Sequence, residues 1–299
     1  MESIQDVLVG VELKVRTNSV PPGSLTAFKQ ALAVAREMGA QLTILHSRWH
    51  QGEVLPLAPE GQANLEALAQ EARAQGVDTE VDITEQRAWL ALMRGVAAGA
   101  DLVVVGKRDT VGIDAAARRI GPVPAKLLRK CPAPVWVVKP DHDLAHKLVL
   151  VATDLTAVGD RALQSGARLV RASKGALHVL HAYRVPIQLK LEAAEMSEAE
   201  YAERIEALKS EAREALSESL EAQAVSTPSE KVHLSRKSPA VAIREAAEHL
   251  APDLLIMGTL SRGGRPGVQV GETAERLLGR LDCSLLTFKP QGFTSPVVS

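Results

Sequence analysis

Short apolar runs alternate along this chain with longer stretches whose apolar positions fall three and four apart. "DVLVGV" from Asp6 and "KLVLVA" from Lys147 are Val- and Leu-rich runs. Each leads into a segment with helical spacing, "LTAFKQALAVAREMG" and "DRALQSGARLVRASKG", ending near Gly39 and Gly175, where a helix stop is expected. A second strand, a long charged helix, a third strand, a short helix, a fourth strand ("DLVVVG" or "DLLIMG"), a final helix and a final strand follow in both halves. Continuous apolar runs alternating with helices predict a parallel sheet covered on both faces. In the second half, Ser197 and Glu200 form a capping-box pattern opening a helix with the apolar stripe Tyr201, Ile205, Leu208, Ala212 and Leu216. Its charged face is expected to be solvated.

The two halves repeat one another. "LTILHSRW" and "LHVLHAYR" put His46 and His181 at matched places, 135 residues apart. "GADLVVVGKRD" and "APDLLIMGTLS" match Asp101 to Asp253 and Gly106 to Gly258 at an offset of 152. "VWVVKP" and "LLTFKP" close the halves at an offset of 150, and the polar seam lies around Asp141–His146. The expected units are 1–141 and 145–291, each a doubly wound α/β domain of about five strands.

Composition narrows the function. The chain has 299 residues, 46% hydrophobic and 24% charged, with a net charge of −1. That balance gives no electrostatic reason to expect a nucleic-acid partner. No apolar run approaches the ~20 residues that span a bilayer, so no membrane partner is expected. The opening "MESIQDVLVG" is acidic and runs directly into a strand, unlike a signal peptide. Two cysteines suggest no disulfide framework. A cytoplasmic protein is the expectation.

"LVLVATDLT", "VLHAYRVP", "PDLLIMGTLSRGG", "GETAERLL" and "CSLLTFKP" resemble a universal stress protein domain, and the first half repeats the plan in "VLVGVE", "ILHSRW", "ADLVVVGKRD" and "GPVPAKLLRKCPAPVWVVKP". The resemblance covers nearly the whole chain and implies the tandem, E-type branch. It implies a flavodoxin-like (adenine nucleotide alpha hydrolase-like) five-stranded parallel sheet in each copy. It also implies pairing through the last strands, so that the halves form an intramolecular pseudo-dimer. The full chain could pair again as a homodimer. Nucleotide-binding members carry Gly, two residues, Gly, nine residues, Gly, then Ser or Thr, with an Asp ending the first strand.

On that pattern the second-half candidates are Asp154, Met257, Gly258, Ser261, Gly271, Glu272 and Thr273. Gly258 and Gly271 keep their spacing; Ser261 replaces the second glycine, and Glu272 occupies the Ser/Thr position with Thr273 after it. A carboxylate there opposes a polyanion and competes for the helix N-terminus. Arg262 and Arg265 could pair with phosphate, and Asp154 could hold Mg²⁺ if ATP bound. The first half departs further. Glu12 stands for the Asp, an insertion "KVRTNSVPPG" (Lys14–Gly23) follows, Asp109 replaces a glycine, and Pro122 removes an N–H after Gly121. The insertion is expected to close that half's crevice.

Other groups carry ordinary readings. His142 and His146 lie four apart beside Asp141 and Asp143, but in a seam expected to be a solvated linker. His46 and His181 read as packed, hydrogen-bonded histidines, Cys131 and Cys283 as buried small apolar groups, Asp101 and Asp253 as turn residues. The leading reading is a non-enzymatic stress-response protein. An ATP-binding regulatory module with one site in the second half is the alternative; a weak ATP hydrolase, or a binder of another small molecule, ranks below it. The residues fix no cofactor, and ATP with Mg²⁺ is the candidate.

Overall fold

The computed structural model describes residues 4–107, 121–140, 145–259, 281–295 and 297. The first half runs β1 (Asp6–Gly10), α1 (Pro22–Met38), β2 (Gln41–Ser47), β3 (Trp49–His50), β4 (Glu53–Val54), α2 (Pro59–Ala74), β5 (Thr79–Thr84), α3 (Ala88–Ala97), β6 (Leu102–Gly106), α4 (Pro122–Lys130) and β7 (Val135–Val138). The second runs β8 (Leu148–Thr153), α5 (Ala157–Ser173), β9 (Ala176–Ala182), α6 (Ile187–Glu192), α7 (Glu198–Ala222), β10 (Val232–Ser235), α8 (Pro239–Leu250), β11 (Leu254–Gly258) and β12 (Ser284–Phe288). The final helix expected before β12 falls on residues outside the described ones.

Five parallel strands form each half, in the orders β5-β2-β1-β6-β7 and β10-β9-β8-β11-β12. Counted within a half this is 3-2-1-4-5, so the expected doubly wound class holds, with the third strand outside the second rather than at flavodoxin's own 2-1-3-4-5 position. The order reverses between β1 and β6 and between β8 and β11, where a doubly wound sheet opens its crevice. The described strands of both halves join into one sheet because β12 pairs with β7 antiparallel. In that register Trp136 faces Leu286, its own counterpart at the 150-residue offset.

The strand runs are apolar throughout because both faces are covered. Val7, Val9, Leu102, Val104, Val149, Val151, Leu254 and Ile256 enter one buried layer. The intervening Leu8, Val103, Val105, Leu150, Leu255 and Met257 enter the opposite one. Each such side chain contributes about 1.5–3 kcal/mol when fully buried. Both layers contain residues of both halves, so the core continues across the β7–β12 seam.

Local signals are met with some corrections. Gly39 caps α1 in the left-handed region at φ 65°. Gly175 does not play that part: Lys174 takes the left-handed cap at φ 54°. A Cβ on Gly175 would lie 2.3 Å from the His146 carbonyl oxygen, so glycine is needed there for space. The Ser197–Glu200 capping box opens α7. Along the α7 stripe, Ala212 and Leu216 are buried and Tyr201, Ile205 and Leu208 half-buried. Neither α6 nor the β3–β4 hairpin was expected. The hairpin turns at Gln51 and Gly52, both at positive φ, a two-residue turn whose usual signature is Asn-Gly.

Candidate functional site

The second-half crevice starts at the carboxyl ends of the adjacent strands β8 and β11, where Val151 pairs with Ile256 and Ala152 with Met257. Buried Thr153 ends β8, and its Oγ1 accepts from Leu155 N at 3.1 Å. Exposed Asp154 follows, its Oδ1 accepting from Thr156 N at 3.2 Å and Thr156 Oγ1 at 2.6 Å. These bonds turn the chain into α5 and fix the carboxylate at the strand end. Gly159 lets α5 press onto this corner, since a Cβ there would lie 2.3 Å from Thr153 Oγ1 and 3.2 Å from Asp154 Oδ1.

Gly258 ends β11 opposite Phe288. The Thr259 N–H donates to Phe288 O at 3.0 Å, so it is committed to the sheet. Met257 puts its side chain into the buried layer of α8 and Leu255, leaving only its main chain for the crevice. Ser261, Gly271, Glu272 and Thr273, with Arg262 and Arg265, lie outside the described residues. Among the described residues, the structure thus brings Asp154 and the Gly258 backbone to the ends of the adjacent strands β8 and β11, while the other candidates fall on 260–280.

The first-half crevice is built differently. Glu12 is exposed, and its N–H donates to Ser24 Oγ at 3.0 Å. The start of α1 lies directly against the end of β6: a Cβ on Gly106 would sit 2.4 Å from Gly23 O, and one on Gly23 2.6 Å from Lys107 O. Pro122 is the first residue of α4, so that helix start lacks one donor. The insertion folds into a turn, with Lys14 N donating to Ser19 O at 2.9 Å, and its Asn18 carbonyl accepts from Asn64 Nδ2 of α2 at 3.0 Å. It thus meets α2 at Asn18 and the end of β6 at Gly23. Asp109 lies outside the described residues.

His46 and His181 repeat one device. His46 Nδ1 meets Val11 O at 3.0 Å and His181 Nδ1 meets Thr153 O at 2.9 Å, each tying β2 or β9 to the strand end beside it. Because the carbonyl can only accept, each Nδ1 donates. Burial pushes the His46 imidazole below its usual value, opposed by the Val11 bond. Asp101 accepts from Gln5 N and Asp6 N at 2.8 and 3.1 Å, and Asp253 from Leu148 N at 2.8 Å, so the matched aspartates clasp the amino ends of β1 and β8.

His146 departs from the solvated-linker expectation. It is buried and stacks on Trp136 with centroids 5.4 Å apart, because the chain entering β8 passes over β7. His142, Asp141 and Asp143 lie outside the described residues. Cys131 and Cys283 are buried, their thiols pushed by burial to about 12 and about 11. At those values neither is a thiolate near neutral pH.

Three lysines that the pattern did not single out cross the β7–β12 seam. Lys107 Nζ, buried, donates to Leu281 O at 2.6 Å. Lys289, also buried, donates to Thr259 Oγ1 at 2.7 Å and to Leu128 O in the last turn of α4. Burial lowers its ammonium to about 8. Lys139 pairs with Asp282 at 3.0 Å. Only the repeated "KP" after each final strand hinted at the last two.

A doubly wound tandem with paired crevices and joined edge strands defines the class. The sequence profile of the Universal stress protein family matches residues 7–139 and 146–289. The chain belongs to that family, as two tandem copies. It is 29% identical over 233 residues to Universal stress protein E of Salmonella typhi and 28% identical to that of Escherichia coli K12, covering 74% of this chain and 72% of each relative. In fold it resembles a crystal structure of a universal stress protein from Pseudomonas aeruginosa UCBPP-PA14, at TM-score 0.71 and 22% identity, over 96% of this chain and 94% of that one. PA1789 from Pseudomonas aeruginosa PAO1 gives TM-score 0.70 at 23% identity, over 96% and 93%. Among the described residues no helix is long and apolar enough to cross a membrane.

Proposed function

We propose that this chain is a non-enzymatic, cytoplasmic stress-response protein whose units, 1–141 and 145–291, work as an intramolecular pseudo-dimer. The observation that carries this reading is the β7–β12 register, in which a repeat position faces itself as a two-fold arrangement requires. A tandem variant split between residues 141 and 145 and co-expressed as two chains is expected to reassemble as a heterodimer. Halves that stay apart, each folded, would refute the pseudo-dimer.

A second reading has its own support: a regulatory module with a single ATP site in the second half. Among the described residues Asp154 has only local partners at the ends of β8 and β11, whereas in the first half the main chain of Gly23 lies against the end of β6. In this reading Asp154 contacts the nucleoside or its Mg²⁺, and the Gly258, Ser261 and Gly271 backbone with Thr273 holds phosphate against the opposing charge of Glu272. Calorimetric titration with Mg·ATP tests it. Micromolar binding by the wild-type chain, lost in Gly271→Glu, supports the module. Binding gained only in Glu272→Ser supports a lost site. Hydrolysis above background that disappears in Asp154→Asn would instead promote the enzyme.

A further inference from the structure

Two histidines join the outermost strand of the second half to its neighbour. Alternate residues of β9 and β10 enter opposite layers: Leu177, Val179, Val232 and Leu234 pack with Leu216 and Leu220 of α7, and Leu180 packs with Ala242, Ile243 and Ala247 of α8. His178 and His233 therefore share the α8 face, where both are half-buried. His178 Nδ1 and His233 Nε2 are 2.9 Å apart, with ring planes within 7° of each other and centroids 5.2 Å apart. That centroid spacing is the N–N distance plus the two ring radii, so the rings meet edge to edge and one hydrogen bond runs in the plane of both. The bond needs one proton between the two nitrogens. Two neutral rings supply it, and so does one imidazolium facing one imidazole. Two imidazolium rings cannot, because each points an N–H at the other and neither keeps a lone pair to accept.

The surroundings give a second proton no help. Lys231, just before β10, bears on His178, and exposed His249, in the last turn of α8, bears on His233. No carboxylate among the described residues bears on either ring. On α8, Glu245 is paired with Lys237 and Glu248 with Arg244; on β8, the residue beside His178 is Leu150. Strand β10 is four residues long and, among the described residues, pairs with β9 alone. We propose that the His178–His233 pair is an acid-sensitive latch, which holds β10 on the sheet while the two rings share one proton and lets β10 open when both are charged. Burial first, then the facing ring and Lys231, keeps His178 below its ordinary value; burial first, then His249, does the same for His233. With its rings in water the open strand takes up protons more readily than the closed one. The closed state is therefore fully favoured above the ordinary histidine value of about 6.5 and loses ground as pH falls below it. Opening bares the outer edge of β9, a row of unpaired backbone groups.

The repeat supplies the control. At the 135-residue offset Thr43 matches His178, and Asp82, paired with Leu45 as His233 is with Leu180, matches His233. Strand β5 lies at the opposite end of the sheet, so it holds the same place in the first half without the pair. The His46 and His181 ties are common to both halves and cancel in the comparison. The test is amide hydrogen exchange on the full chain, read at β10 and β5 and corrected for intrinsic rates, at about pH 7.5 and about pH 5. Protection at β10 is expected to fall at least about tenfold more than at β5, the factor supplied by one proton bound one unit more weakly. His178→Phe, which keeps a ring and removes the shared bond, should lower β10 protection at the higher pH and lose most of the response to acid. Protection at β10 and β5 that keeps the same ratio at both pH values overturns the proposal, and that comparison needs no variant to fold. An undiminished acid response in His178→Phe overturns it as well.

Discussion

The two halves carry the same fold and the same strand-end devices but end in different crevices. In both, a histidine from the second strand bonds the carbonyl at the end of the first, and an aspartate clasps the amino end of the first strand. In the second half the corner beyond β8 leaves Asp154 exposed and, among the described residues, with only local partners. In the first, Gly23 and Gly106 allow main chain to meet main chain where α1 starts against the end of β6. The sheet can thus be kept while a strand end changes, because the two depend on different residues: alternating buried side chains for the sheet, a few close backbone approaches for the corner.

The largest expected effect concerns what the halves share. Trp136→Ala removes a fully buried ring at the seam and is expected to cost about 3–5 kcal/mol in urea unfolding. Leu286→Ala, the facing repeat position, is expected to cost about 2–5 kcal/mol. If either variant unfolds one half alone and leaves the other at its wild-type midpoint, the core is not continuous across the seam. Gly106→Ala comes next. Its Cβ would press on the Gly23 carbonyl, which is backbone and cannot swing aside. A loss of about 1–3 kcal/mol is expected. A neutral result would show that the first-half crevice has room, and would weaken the contrast between the halves.

Much of the frame was legible in the sequence, and the reason is local. Apolar runs buried on both faces and the Ser197–Glu200 box act through neighbours in sequence, and the matched His46/His181 positions showed through the repeat; Asp101 and Asp253, read as turn residues, instead clasp strand ends about a hundred positions away. What escaped was set by partners far along the chain. Lys107 and Lys289 are single cations after apolar runs and look like strand-end surface residues; their acceptors, Leu281 O and Leu128 O, lie 174 and 161 positions away. His146 looked like linker until the fold set Trp136 beneath it. The Gln51–Gly52 turn lacked the asparagine that marks such hairpins. The candidate loop was legible only as a spacing of glycines, and spacing carries no distance.

Lysine burial gives the comparison a pH signature. Lys289 is held at about 8 by burial, against an ordinary 10.5. Between those values the unfolded chain keeps a proton that the folded chain has lost, so this group makes stability rise with pH across that window. Cys131 and Cys283 act oppositely: above 9 the unfolded thiols ionise while the folded ones hold their protons to about 12 and about 11, so stability falls as pH rises. Lys289→Met is expected to remove the rising contribution and leave the falling one, visible in urea midpoints between pH 8 and 10. It also leaves Leu128 O and Thr259 Oγ1 without their donor, at about 1–3 kcal/mol near neutral pH. An unchanged pH slope would mean that Lys289 is solvated in the folded chain.

Lys139 is the counterpart of Lys289 at the 150-residue offset, and the same substitution there should do the least. Its side chain is 34% exposed and that of its partner Asp282 is 69% exposed, so water screens the pair. Such a pair is worth about 0–1 kcal/mol. The bond that does hold this point is made by its main chain, Lys139 N to Ser284 Oγ at 3.0 Å, which substitution of the side chain leaves alone. Lys139→Met is therefore expected to shift the midpoint by less than about 1 kcal/mol. If it instead matched Lys289→Met in size, the two lysines would sit in equivalent surroundings. The seam would then be symmetric in its chemistry as well as in its strand register.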